Sequence, residues 1–139
     1  MEEEKTISDK KKMYLNSYKQ AVIAAKLIEE EIEEIQIHKL NPSYTIEGMP
    51  HGNLKKDLSD YVVLIECKTK ELIQARYRRI KLYSDIIDKI EHMEDETERN
   101  LLRLKYVHNK TWEEVGEALG YSYRQVHNIH NRALQDFKM

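Results

Sequence analysis

Both prolines of this chain, Pro42 and Pro50, and two of its four glycines, Gly48 and Gly52, fall within the thirteen residues Asn41–Asn53. Proline in a helix interior removes a hydrogen bond and clashes with the preceding turn, and glycine pairs favour turns, so this segment reads as a loop. On both sides of it apolar residues recur at three-then-four spacing. Between roughly Ile7 and Leu40 they are Tyr14, Tyr18, Ala21, Ala25, Ile28, Ile32 and Ile35, a heptad seam over about three repeats. After the loop come Leu54, Leu58, Tyr61, Ile65, Leu72, Ala75, Tyr83, Ile86, Ile87, Ile90 and Met93. Two long helices joined in this way fold back as an antiparallel, coiled-coil-like hairpin, each covering the other's apolar stripe.

The expected fold is all-α. Its 139 residues allow one ordinary domain or two small ones, and 35% charged residues with few glycines and prolines suit helices. The acidic link Met93-Glu-Asp-Glu-Thr-Glu marks the expected boundary: residues 1–95 as the hairpin, residues 96–139 as a three-helix unit. Thr97 is placed to cap the first helix of that unit, which runs through Leu101, Leu104 and Val107. A two-helix hairpin has little core of its own, so pairing with a second copy as a homodimer is a reasonable way to cover what remains. Nine Tyr against one Phe and one Trp fit half-buried seams better than a large dry core.

Several function classes are disfavoured. Cys67 is the single cysteine, which rules out an intramolecular disulfide and a zinc knuckle. Met1-Glu-Glu-Glu-Lys is no secretion signal, and no run approaches the ~18 apolar residues of a membrane span, so a cytoplasmic protein without a membrane partner is expected. His127 and His130 have the three-residue spacing of two metal ligands, but no third ligand accompanies them; they read as polar residues on an exposed helix face. Asp57, Asp60, Asp85 and Asp88 read as helix-surface carboxylates. With no catalytic loop, phosphate cradle or nucleophile–base pair, no enzyme and no cofactor are expected. Net charge is −2, yet Thr97–Met139 holds seven basic against five acidic residues. That modest excess gives little non-specific nucleic-acid affinity by itself.

The C-terminal stretch carries the functional signal. Thr111 with Glu114 and Ser122 with Gln125 form two capping boxes, and Gly120 lies between them where a left-handed residue ends a helix without a Cβ penalty. Val115 and Leu119 of the first helix, Tyr121 of the turn, and Val126 and Ile129 of the second point inward. Gly116 leaves room for close approach, which a mid-helix glycine costing ~1 kcal/mol relative to alanine requires as its reason. The result is a helix-turn-helix, a motif that docks on DNA. The plainer alternative is two unrelated helices of a bundle.

With Val126, Ile129 and Ala133 inward, the second helix shows Tyr123, Arg124, Gln125, His127, Asn128 and Asn131 outward. Its first turns enter the major groove first, where Arg124 can meet guanine and Gln125 or Asn128 adenine in bidentate fashion. Tyr123 is suited to a phosphate or a thymine methyl. Arg132 and Lys110 are placed as phosphate contacts, with Thr111 donating at a helix N-terminus. Double-stranded DNA is the expected partner. The basic stretch Lys68, Lys70, Arg76, Arg78, Arg79 and Lys81, offset only by Glu71, reads as a solvated face whose stems cover apolar surface; a flank touching DNA or a partner protein is the alternative. The acidic run Glu29-Glu-Glu-Ile-Glu-Glu likewise reads as a solvated face.

Trp112-Glu-Glu-Val-Gly-Glu-Ala-Leu-Gly-Tyr-Ser, with Val126, Ile129, Ala133 and Leu134, resembles region 4 of sigma-70-type RNA polymerase factors, the helix-turn-helix that reads the promoter −35 element. The likeness covers about the last forty residues. It places that family's base-reading positions on Tyr123, Arg124, Gln125, His127 and Asn128. Sigma factors typically have a basic residue where Tyr123 stands and an acidic one at Arg124, which implies the same docking with altered specificity. Over its whole length the chain is similar to small regulators of Gram-positive phages and prophages, the autolysin-regulator-like (ArpU-like) or late-transcription proteins. Asn41-Pro-Ser-Tyr, Met49-Pro-His-Gly, Asp57 with Tyr61, and Leu102-Arg-Leu-Lys-Tyr-Val leading into Lys110-Thr-Trp-Glu-Glu carry that likeness. It implies a phage transcription regulator, an activator of late genes, that binds promoter DNA in the bacterial host's nucleoid and contacts host RNA polymerase. Two readings compete with it: an RNA polymerase- or sigma-factor-binding protein that does not read DNA, and a coiled-coil component of the phage particle.

Overall fold

The computed structural model describes residues 2–40 and 58–139. The loop expected at Asn41–Asn53, and with it Leu54 and Asp57, lies outside the described residues. The fold is all-α: helices α1 (Glu2–Leu40) and α2 (Leu58–Glu91) are the arms of a long hairpin, followed by the short helices α3 (Glu96–Leu102), α4 (Trp112–Leu119) and α5 (Tyr123–Asp136). A five-residue π-helical turn, Arg103–Val107, continues α3.

Packing divides the chain into two compact units, and the division does not fall at the end of the hairpin. One unit comprises Met1–Ala21 and Arg79–Met139, the other Val22–Arg78. The boundary expected near residue 95 therefore lies inside the first unit. The cause is the core, in which Leu15 of α1 and Ile86 and Ile90 of α2 join Leu101, Leu102, Val115, Val126, Leu134 and Phe137 in one cluster, each at most 1% exposed. Three short helices alone cannot enclose that much apolar surface, so the adjoining ends of both hairpin arms complete it.

Polar contacts fix the same assembly. The Lys11 ammonium donates to the main-chain carbonyl of Leu134 at 2.6 Å and, more weakly, to that of Gln135 at 3.3 Å. These carbonyls have no partner within the last turn of α5, and a cation there also suits the helix dipole. Lys89 of α2 donates to the Tyr14 hydroxyl at 2.7 Å, and the Tyr14 ring lies 6.1 Å from that of Phe137. Tyr18 meets Tyr83 at 5.8 Å, so the paired positions rise along α1 as they fall along α2, as antiparallel arms require. The link after α2 is a tight turn in which the Arg99 guanidinium donates to the carbonyls of Met93 and Glu94. The cap expected from Thr97 is supplied instead by Asp95, whose carboxylate accepts from the Glu98 N–H at 3.0 Å. Asp95 is the better cap because its extended backbone leaves the chain just before the first helical residue.

In the second unit the arms are antiparallel too. Arg76 pairs with Glu29 and Lys68 with Glu31, both at 2.7 Å. Part of the acidic run and part of the basic stretch thus serve as each other's partners rather than as purely solvated faces. The expected seam residues Ala25 and Leu72 are buried here, with Ile28, Ile32, Ile35, Tyr61, Ile65 and Ala75 half-buried.

Candidate nucleic-acid interface

Both capping boxes are present. The Thr111 hydroxyl accepts from the Glu114 N–H at 3.2 Å while the Glu114 carboxylate accepts from the Thr111 N–H at 3.4 Å. Ser122 and Gln125 repeat the arrangement at 3.3 and 2.9 Å. Hydrogen bonds to Thr111 and the nearby Lys110 charge hold the Glu114 carboxyl below its ordinary range. Gly120 sits at φ 75°, and the Gly116 carbonyl accepts from the N–H groups of both Gly120 and Tyr121, closing α4 in a tight left-handed stop. A Cβ on Gly116 would lie 2.9 Å from the Tyr121 carbonyl oxygen and 3.6 Å from Val126. Glycine is needed there chiefly because the turn itself passes so close. Tyr121 does not point inward as expected: it is 39% exposed, because the sharp turn carries its side chain past the corner that Val115, Val126 and Ile129 close.

Helix α5 then presents the expected outward set, with differences that matter. Tyr123, Arg124, Asn128, Asn131 and Arg132 are exposed. Arg124 forms no ion pair among the described residues and is available to a base or phosphate. The Gln125 carboxamide oxygen already accepts from the Ser122 N–H, which fixes its orientation toward the helix N-terminus. The Asn128 side chain is exposed beside it. Gln125, Asn128 and Arg132 also line an open groove of about 480 Å³ with Asp95, Thr97, Tyr121 and Ile129. Lys110 and Thr111 are exposed at the start of α4, where Lys110 lies 3.8 Å from Glu114.

The two histidines depart from their expected place on an exposed face. His127 is half-buried, its ring 4.7 Å from Trp112 and 4.3 Å from Tyr123, with Nε2 buried and unpartnered. It holds Tyr123 and Trp112 in position more than it faces a groove. His130 is 4% exposed and 2.7 Å from the Tyr106 hydroxyl. Burial, with a smaller effect of the Lys12, His127 and Lys105 charges, pushes its pKa down to about 4. Burial pushes the Tyr106 phenol up to about 12. Both groups are therefore neutral near pH 7, and Tyr106 donates to His130 Nε2. Among the described residues no group of three or more His, Cys, Asp and Glu is arranged to hold a metal ion. The helical register of α5 contains the sign of His130's burial: positions 126, 130, 133 and 137 share one face, and three of them are plainly apolar.

Two further groups shape the site's electrostatics. Glu98, 4% exposed, has its carboxyl pushed up to about 7 by burial first, then by its hydrogen bond with Asp136 and the charges of Asp136 and Asp95, against a smaller opposing effect of Arg132. On the other side of α5, the Lys105 ammonium lies 4.6 Å over the Trp112 ring, and its pKa is lowered by burial and by Lys19. Asp95, Glu98 and Asp136 thus lie on one side of α5 and Lys105 on the other.

Among the described residues no helix is long and apolar enough to cross a membrane. Nothing among curated proteins or solved structures matches the chain. Residues 95–138, which span α3 to α5, match the family model described as Sigma-70, region 4; this part of the chain is a sigma-70 region 4-like helix-turn-helix, a DNA-binding motif.

Proposed function

We propose that the chain is a phage or prophage transcription regulator, an activator of late genes, that binds promoter DNA through α5 and contacts host RNA polymerase. The observation that carries the DNA-binding part is a doubly capped helix-turn-helix whose second helix exposes Arg124, Asn128 and Asn131, in a segment matching Sigma-70, region 4. The late-gene role rests on the likeness to small phage regulators alone. In this reading Arg124 and Asn128 read bases, Tyr123, Lys110, Thr111 and Arg132 hold the backbone, and no catalytic step is involved. Each bidentate base contact is worth ~1–3 kcal/mol, so Arg124→Ala with Asn128→Ala should weaken a selected site by roughly 30-fold or more. Gel shift measures it, with circular dichroism to show unchanged helix content. Unaltered affinity would sink the assigned face. Retention of polymerase by a chain that binds no DNA would favour the competing role as a polymerase- or sigma-docking protein.

The regulator is further proposed to work as a homodimer through Val22–Arg78. Of the described large apolar residues in that unit only Leu72 is buried, whereas Ile23, Leu27, Ile37, Val62, Val63, Ile73 and Tyr77 are all more than 40% exposed. Isolated exposed apolar residues are ordinary, but a monomer rarely leaves so dense a set uncovered. Val62, Ile73 and Tyr77 recur along one face of α2 at helical spacing and give a second copy a stripe to pack on. Ile73→Glu with Tyr77→Glu should convert the dimer to a monomer of intact helicity by sedimentation equilibrium. A wild-type chain that sediments as a monomer at micromolar concentration contradicts the pairing.

A further inference from the structure

We propose that Lys12 and Lys19 of α1, with Lys105 of the π turn, form a second strip of DNA phosphate contacts beside the helix-turn-helix. The inference rests on the DNA-binding reading above and extends it to residues nearly a hundred positions away in sequence.

Its geometric basis is the attachment of α1 to α5. Lys11 binds the last-turn carbonyls of α5, and Tyr14 packs on Phe137, so this part of α1 lies beside the C-terminal end of α5. Lys12 is close enough for its charge to act on His130, and Lys19 close enough to act on Lys105. Lys105 in turn covers the ring of Trp112, the first residue of α4. The three lysines therefore extend the flank that begins with Lys110 and Thr111, the side on which the first helix of such a motif crosses the DNA backbone.

Charge supports the same ligand. None of the three lysines has an ion pair among the described residues, although the chain as a whole carries more acidic than basic groups. Like charges gathered without a counter-charge oppose one another, and an anion relieves that opposition. Three acidic residues of this unit, Asp95, Glu98 and Asp136, lie instead with Arg132 on the other flank of α5. Spacing fits as well: Lys12 and Lys19 are seven residues apart, about 10 Å along a helix at 1.5 Å per residue. One DNA strand presents a phosphate every ~3.4 Å of axis, so both ammonium groups can reach the same strand.

The experiment is DNA binding by the full chain at a selected site and at a scrambled site, titrated over salt. Lys12→Gln with Lys19→Gln should weaken both sites equally, about 10-fold at 0.1 M salt, and lower the slope of log affinity against log salt by nearly two. Lys12→Arg with Lys19→Arg should restore both quantities, which a purely structural role of the stems would not explain. An unchanged slope in the Gln variant overturns the strip while leaving the helix-turn-helix reading intact. An equal loss from Lys70→Gln with Lys81→Gln overturns it too, since overall charge would then suffice. Lost transcription activation with unaltered DNA binding places the lysines against a protein and also overturns the proposal. Wild-type chain that binds neither site removes the strip and the DNA-binding reading together.

Discussion

Leu15→Ala, a change in the first helix of the hairpin, is expected to cost about 2–5 kcal/mol of stability and to remove specific DNA binding with it. Leu15 is fully buried in the cluster formed by Leu101, Leu134 and Phe137, and truncating it leaves a cavity that the surrounding helices only partly close. A small domain holds only ~5–15 kcal/mol in all, so a loss of this size populates unfolded chain well before physiological temperature limits are reached. Neighbouring Met13 is 73% exposed and supplies the control: Met13→Ala should stay within about 0.5 kcal/mol of wild type. Urea denaturation of both variants, read alongside gel shift, checks the prediction. A Leu15→Ala protein as stable as wild type would mean that the helix-turn-helix stands without α1.

Acid should loosen the same core through His130. Its folded pKa of about 4 lies below the ordinary 6.5, so the unfolded chain takes up this proton at higher pH than the folded one. The stabilisation from burying neutral His130 is complete above pH 6.5, declines as pH falls from 6.5 toward 4, and changes no further below that. At 1.36 kcal/mol per pH unit the full loss is about 3 kcal/mol. Glu98 works in the opposite sense: with its folded pKa raised to about 7, its contribution is complete below the ordinary 4.5 and is lost as pH rises through 7. The two opposed slopes overlap between pH 6.5 and 4.5, and His130 alone remains below that. Replacing both hydrogen-bond partners, Tyr106→Phe with His130→Leu, removes the titrating group without leaving a buried polar atom unpaired. The double variant should be more stable relative to wild type at pH 4 than at pH 7.5 in urea melts. A constant difference between the two pH values would show that His130 is charged in the folded state or solvated there.

The all-α fold and the helix-turn-helix were legible because they depend on local chemistry. Three-four periodicity, two capping boxes and a left-handed glycine each act within a few residues, and each has its counterpart among the described residues. The burial of His130 and Glu98 was not legible by residue type, since polar side chains are mostly exposed and their partners, Tyr106 and Asp136, lie 24 and 38 residues away. Tyr121 was misplaced for a related reason: an aromatic residue in a turn suggests core, but the backbone path set by Gly120 decides where its side chain goes. The division of the chain was hidden most deeply. A heptad seam looks the same whether it serves a free hairpin or the wall of another core, and Leu15 stands one residue off the seam that runs through Tyr14 and Tyr18. Among the site residues, Arg124, Asn128 and Asn131 stand on the expected face, while internal bonds to Gln125 and ring packing on His127 limit what those two can read.

The attachment of Lys11 to the carbonyl of Leu134 spans 123 positions of sequence, and it bears on how the protein is made. Contacts so far apart close late, because the intervening chain must lose its freedom before they form. During synthesis α1 emerges long before α5 and waits with Leu15 uncovered until Phe137 arrives. The newly made chain therefore passes through a stage in which α1 has formed and α5 has not, and the core around Leu15 closes only once Phe137 has left the ribosome.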